Sequence, residues 1–317
     1  MAGQLVRQRN VPLLESLTAA VTHFLQRLKE TPLLLGWLVV GPLVALYLDG
    51  ISGLAMALIN LALIGVYALI IRQLTPTAPA AEPVKRPRLE LLLALGLLAL
   101  TIVIQLIDFG VWQAQPVYGW VRGFFANVYR GIDTLQAIPA LFREELFWAA
   151  STTIKQLIPT LLVFVLLGYG KRSMGLVNPH WKLTGVLLAI TAVFGLVTGV
   201  LTRAPLPEVL LLYGIGIFIN ALPEELFFRG MLLPRLEKLF ANPLNALVIS
   251  ALLFNLIHVP VEINHGASLV EALLDVFSTA YPSGLIWGYL YLRTRSIIPG
   301  VLWHAANGNF GFILMNW

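Results

Sequence analysis

No cysteine occurs among the 317 residues, so disulfide frameworks, thiolate metal sites and cysteine nucleophiles are all excluded. Charge is nearly as scarce. Only 12% of residues are Asp, Glu, Lys or Arg, against about a quarter in an ordinary soluble domain. With 58% hydrophobic residues and a mean hydropathy of +0.82, the chain has too little polar surface for water, and lipid is the solvent it is built for. The net charge of +5 comes from bases scattered in short segments between apolar runs. They form no stripe that could follow a phosphate backbone, so no nucleic-acid partner is expected. An early apolar run is also missing. The first begins near Leu33, after a polar, amphipathic stretch containing Arg7, Arg9, Arg27 and Lys29, and a signal peptide is not expected.

What is present is a series of runs approaching the roughly 20 apolar residues that a membrane crossing needs. They lie near 33-48, 51-71, 89-107, 147-169, 181-201, 207-228, 244-258, 269-292 and 297-316. The expected fold is therefore all-α: a polytopic transmembrane helical bundle with about eight or nine spans. Lys and Arg gather in alternate connections, at the N-terminus, over 72–88, at 171–182, over 229–238 and at 293–295. The positive-inside rule then places the N-terminus in the cytosol and the C-terminus outside, in an integral protein of the plasma membrane.

Five regions follow. Residues 1-30 read as a cytosolic amphipathic leader, and 31-72 as a transmembrane hairpin. Residues 73-88 read as a flexible, extended Pro/Ala-rich basic linker. Residues 89-146 combine one span with an extracytosolic interfacial segment rich in aromatics, including Trp112, Trp120, Phe124 and Tyr129. Residues 147-317 carry the chemistry.

An ionisable side chain at membrane depth costs about 2.5 to 3.5 kcal/mol on insertion scales, so a cluster of them marks function. In Ile219-Asn-Ala-Leu-Pro-Glu224-Glu225-Leu-Phe-Phe-Arg229-Gly230 two adjacent carboxylates follow an apolar helix. Glu225 and Arg229 share a helix face at i,i+4, while Glu224 points about 100° away. One acid can be held while its neighbour faces a cavity. The next helix brings Phe254-Asn-Leu-Ile-His258, and the last brings Trp303-His304-Ala-Ala-Asn307. A buried carboxylate beside an imidazole can activate water, and a second His with an amide can stabilise an oxyanion. Glu224, His258 and His304 could equally hold zinc with a position left open for water. Cofactor use thus stands between none and zinc.

Glu-Glu-x-x-x-Arg, then Phe-x-x-x-His, then a late His followed by Asn resembles the CPBP family, the CAAX-type and bacteriocin-processing (Abi-type) intramembrane proteases. The resemblance covers roughly 147-317 and includes Phe228-Arg229-Gly230 and the Gly284 to Gly300 stretch. It implies an endopeptidase in which Glu224 activates water and His258 assists. His304 with Asn307 would form the oxyanion site, and Glu225 and Arg229 would support them. Its partners would be membrane lipids and a membrane-associated peptide or protein: a prenylated CAAX tail, a bacteriocin leader or a sorting-signal tail. The family places Asn or Asp four residues after the last His, where this chain has Gly308.

Alternatives from other classes are a non-catalytic or immunity-type membrane protein of the same fold and a proton-coupled transporter. A plainer alternative pairs the acids with Arg229 and Arg235 at the cytosolic membrane edge. A second acidic pair, Glu144-Glu145, lacks a following arginine and reads as an interfacial helix start facing water. Lys155 is expected to snorkel. Glu271 and Asp275 read as interfacial, and His23, His180, His265 and Asn309 are set aside. Glu224 and His258 would sit roughly 10 Å apart in depth unless the helix of Glu224 tilts or runs on toward Leu239.

Overall fold

The computed structural model describes residues 30–316 apart from 82, 114, 115, 139, 179, 204, 241 and 281, and describes no side chains for 140, 141, 194, 198, 202 and 308–316. The leader expected at 1-30 lies, but for Glu30, outside the described residues, as do His23 and the side chain of Asn309. Among the described residues all regular structure is helical. In chain order the helices are α1 (Pro32–Leu74), α2 (Pro87–Asp108), α3 (Val117–Asp133), α4 (Ala140–Thr152), α5 (Ile158–Leu166), α6 (Trp181–Thr202) and α7 (Leu206–Gly216). There follow α8 (Leu222–Glu224), α9 (Leu233–Phe240), α10 (Pro243–Leu256), α11 (Val259–Asn264), α12 (Leu269–Asp275), α13 (Ser283–Thr294) and α14 (Ile298–Asn316). Three π-helical segments, Thr153–Leu157, Ile217–Ala221 and Glu225–Leu232, join α4 to α5, α7 to α8 and α8 to α9.

Among the described residues, six helical stretches are long and apolar enough to cross a membrane: Pro32–Leu74, Pro87–Asp108, Phe142–Leu166, Trp181–Leu201, Leu206–Phe240 and Pro243–Asn264. Large apolar side chains such as Leu196, Val200 and Leu201 point outward, where lipid rather than water must meet them. The chain is an integral membrane protein. The count is lower than the eight or nine spans expected: the run 297-316 is not among the six, and two further departures have physical reasons.

The first lies in α1. A straight helix of 43 residues would be about 65 Å long, twice the thickness of a bilayer core. At Gly50 the backbone leaves the helix at φ 66°, ψ −148°, a conformation open to glycine. Ala45 and Ala57, on either side of it, both pack on Ala280. Trp37 Nε1 donates to the Phe277 carbonyl at 2.7 Å, and Asn60 Nδ2 donates to that of Ala280. Both limbs therefore meet one segment, and the element bends at Gly50.

The second reason is the run 269-292, which is not one span. It breaks between α12 and α13, where Pro282 lacks an N–H and disfavours helix before it. The non-helical backbone there is satisfied by α1, through the Trp37 and Asn60 bonds and Thr279 N–H donating to Gly41 O at 3.4 Å. Irregular backbone at membrane depth survives when protein covers it in this way.

The basic linker is tied at both ends. Thr75 is buried and takes Arg293 hydrogen bonds on its hydroxyl and carbonyl. Lys85 donates through Nζ to the Leu167 and Gly168 carbonyls at 2.7 and 2.9 Å. Arg235 does not approach the paired acids. It meets Glu90 of α2, at 2.9 Å through Nε and 2.8 Å through Nη2, and Tyr169 Oη donates to the same carboxylate. This buried triad pins α2 to α9. Lys155 does not snorkel either: it is buried, 2.6 Å from Asp108, with its ammonium 4.4 Å from the Phe125 ring centre.

Candidate active site

The helical path Leu206–Phe240 is unbroken, so the helix of Glu224 does continue past Arg229 to Phe240. This removes the depth mismatch with His258. Both residues line one cavity of about 500 Å3.

Glu224 and Glu225 are both buried, yet their surroundings differ. Glu225, at 0% exposure, lies 3.3 Å from Arg229 Nη1 and 3.2 Å from His304 Nδ1, both measured to its Oε1. Arg229 is itself fixed. It donates to the Gly284 carbonyl at 3.1 Å and stacks its guanidinium over the rings of Phe254, Trp287 and Phe228 at 4.7, 5.6 and 5.8 Å. The i,i+4 pairing read from the sequence is present. Glu224 Oε2 is buried without a hydrogen-bond partner, and the nearest histidine nitrogen, His304 Nε2, is 3.7 Å away. Glu225 is thus held through Oε1, while Glu224 is more loosely placed on the cavity wall.

His304 stands between the two acids, Nδ1 toward Glu225 and Nε2 toward Glu224. Its ring stacks on Trp287 at 3.7 Å with planes 19° apart, which leaves it little freedom to rotate. His258 Nδ1 lies 2.9 Å from the Phe254 carbonyl. A carbonyl only accepts, so the neutral ring carries its proton on Nδ1 and leaves Nε2 as an acceptor. His258 also borders a second cavity of about 200 Å3 with Glu262, Asp275 and Ser278. Glu271 caps α12 with Ser268, as an interfacial acid would, whereas Asp275 faces this smaller cavity. Burial, reinforced by the Glu262 and Asp49 carboxylates, pushes Asp275 above the usual carboxylate range.

Asn307 does not join the cluster. Its side chain is exposed and absent from the cavity wall, although it lies one turn beyond His304, because the buried face of α14 there is carried by His304, Ala305 and Ala306. Among the described residues no group of three or more His, Asp or Glu side chains is disposed to hold a metal ion. The Nδ1 atoms of His304 and His258 face Glu225 and a backbone carbonyl, which leaves the Nε2 atom of each ring without that commitment.

Several cavity residues were not singled out from the sequence: Gln105 of α2, Gln156, Asn220 and Asn264. Glu144, read as facing water, lines the same cavity, and Glu145 beside it is buried. Lone amides on apolar helices carry no spacing signal, so only their convergence reveals them. Gly300, by contrast, stood in the resemblance. A Cβ there would come within 2.9 Å of Glu225 Oε2. Gly300→Ala is expected to push the carboxylate off Arg229 and His304 and to slow turnover by about 10²-fold, as an ångström-scale misplacement does. A kinetic comparison of the folded variant with wild type checks this.

A cluster of buried acid, arginine and histidine side chains on an internal polar cavity places the molecule among membrane proteins with an embedded hydrophilic centre. Residues 206–310 match the model for Type II CAAX prenyl endopeptidase Rce1-like proteins, and the CPBP resemblance is borne out over that segment. All six residues singled out from the sequence fall inside it. A curated relative, uncharacterized protein YyaK of Bacillus subtilis (strain 168), is 38% identical over 93 residues, 29% of this chain and 29% of that protein. The match thus spans less than a third of the relative's length. No solved structure matches.

Proposed function

We propose that the protein is an intramembrane endopeptidase in which Glu224 activates a water for attack on a peptide bond of a membrane-associated substrate, without a metal ion. The observation that carries this reading is the contrast between the adjacent acids: Glu225 is held through Oε1 by Arg229 and His304, whereas Glu224 lines the cavity it shares with His258 and has no contact closer than 3.7 Å to a histidine nitrogen. A water between Glu224 and His258 Nε2 would meet two acceptors, one of which takes its proton as the oxygen attacks. The Rce1-like match supports a protease of CAAX type, and a lipidated C-terminal tail is the substrate class that follows from it. The family segment reaches the cavity from one side only, since α2 and α4 supply the other wall.

The test is a peptide-release assay on purified protein in liposomes, with prenylated and unprenylated fluorogenic peptides and product masses read by mass spectrometry. Wild type is expected to cut the prenylated peptide at one bond, and His258→Ala to do so roughly 10²-fold more slowly. Equal rates for the folded variant would remove His258 from the mechanism. Strong chelators should leave the wild-type rate unchanged. Loss of activity with recovery on zinc addition would replace the metal-free scheme by a metal-dependent one.

A further inference from the structure

Two of the three π-helical segments line the cavity, and the third starts directly after a residue that does. Lys155 and Gln156 come from the first, Asn220 from the second, and Glu224 immediately precedes the third. A π turn widens the helix, re-aims its side chains, and recurs at functional sites. The Thr153–Leu157 turn packs against Leu222–Glu224, so Gln156 stands on the wall beside Glu224. Gln156 is only 4% exposed, yet its Nε2 has no hydrogen-bond partner. Folded proteins seldom bury a donor without an acceptor, and the residue that carries this one lines the cavity that Glu224 and His258 share. Its neighbour Lys155 is committed to Asp108. Among the described side chains of the His304 helix the one amide, Asn307, is exposed.

We propose that Gln156 is the oxyanion donor of this enzyme, binding the scissile carbonyl oxygen of the substrate through its side-chain N–H. The inference rests on the endopeptidase reading. Glu224 takes a proton from water as the water oxygen bonds to the carbonyl carbon. The carbonyl π pair moves onto its oxygen, whose negative charge Gln156 meets with a hydrogen bond and no proton transfer. When that pair returns, the C–N bond breaks and Glu224 passes the proton to the leaving nitrogen, giving a carboxylic acid and an amine. The donor comes from a helix outside the segment 206–310 that matches the family, so this part of the centre belongs to the chain's own accessory helices.

Gln156→Glu keeps size and burial while removing the amide N–H, and Gln156→Met removes polarity altogether. Both are expected to lower kcat by about 10²- to 10³-fold with KM nearly unchanged, in the liposome assay with a prenylated fluorogenic peptide. A peptide aldehyde, whose hydrate mimics the tetrahedral intermediate, should inhibit these variants about 10²-fold more weakly than wild type. A non-cleavable reduced-amide peptide should bind all of them alike, which a merely structural role would not produce. Variants that keep the wild-type kcat while Glu224→Gln is inactive would overturn the inference and leave the endopeptidase reading standing. So would a loss confined to Asn307→Ala. A wild-type protein that cuts neither prenylated nor unprenylated peptide would overturn the endopeptidase reading, and the inference with it.

Discussion

Purified Glu224→Gln is expected to release peptide about 10²- to 10⁴-fold more slowly than wild type, the range spanned by loss of a positioned general base. The substitution is nearly isosteric, so the cavity keeps its shape. It should also be structurally mild, because Glu224 Oε2 has no donor to lose and lies 3.7 Å from the nearest histidine nitrogen. Thermal unfolding in detergent should therefore stay at or above the wild-type value while turnover collapses. The neighbouring Glu225→Gln offers the contrast. It weakens two charge-assisted contacts, at 3.3 Å to Arg229 and 3.2 Å to His304, and should lower both stability and activity. A folded Glu224→Gln protein that cuts at the wild-type rate would end the proposal that this carboxylate activates water.

Arg229→Met should destabilise the fold by about 3 to 5 kcal/mol, the cost of stranding a buried charge. The charge left behind is Glu225, at 0% exposure and with Gly300 pressed against its other oxygen. The Gly284 carbonyl loses its donor, and the rings of Phe254, Trp287 and Phe228 lose the cation they surround. Removing both partners, as Arg229→Met with Glu225→Met, should recover much of the loss, because an apolar pair of similar volume is often no less stable than a buried ion pair. Arg229→Lys should not, since an ammonium cannot reproduce the planar fork that meets a carboxylate and a carbonyl at once. Midpoints of thermal or denaturant unfolding in micelles decide the matter, and a single Arg229→Met change within about 0.5 kcal/mol of wild type would show that the pair contributes little.

Much of this site was legible in the sequence for a local reason. Glu225 and Arg229 stand at i,i+4 on one helix, and helical periodicity alone puts them together. The same arithmetic separates Glu224 from its neighbour, which is why one acid could be read as held and the other as free. His258 and His304 were read as further polar sites on separate helices, and the resemblance gave them roles, because their separation in sequence no periodicity can bridge. Local reasoning failed where the competing contact was distant. Arg235 lay close enough to the acids to be considered as their partner, but Glu90 on α2 claims it. Lys155 looked able to reach water, but Asp108 and Phe125 bury it. Hydropathy joined α12 to α13, yet Pro282 and the docking of residues 277–280 on α1 kept them apart.

The sequence by itself determined the solvent, the helical class, the order of the motifs and the pairing of Glu225 with Arg229, because composition and i,i+4 spacing are properties of the chain before it folds. Only the tertiary structure decided which acid faces the cavity with its oxygen unpartnered, that His304 is clamped between both acids and Trp287, that Asn307 points away, and that α2 and α4 complete the cavity wall. Those outcomes depend on helices far apart in sequence meeting at one point, and that convergence is set by packing rather than by any residue's neighbours along the chain.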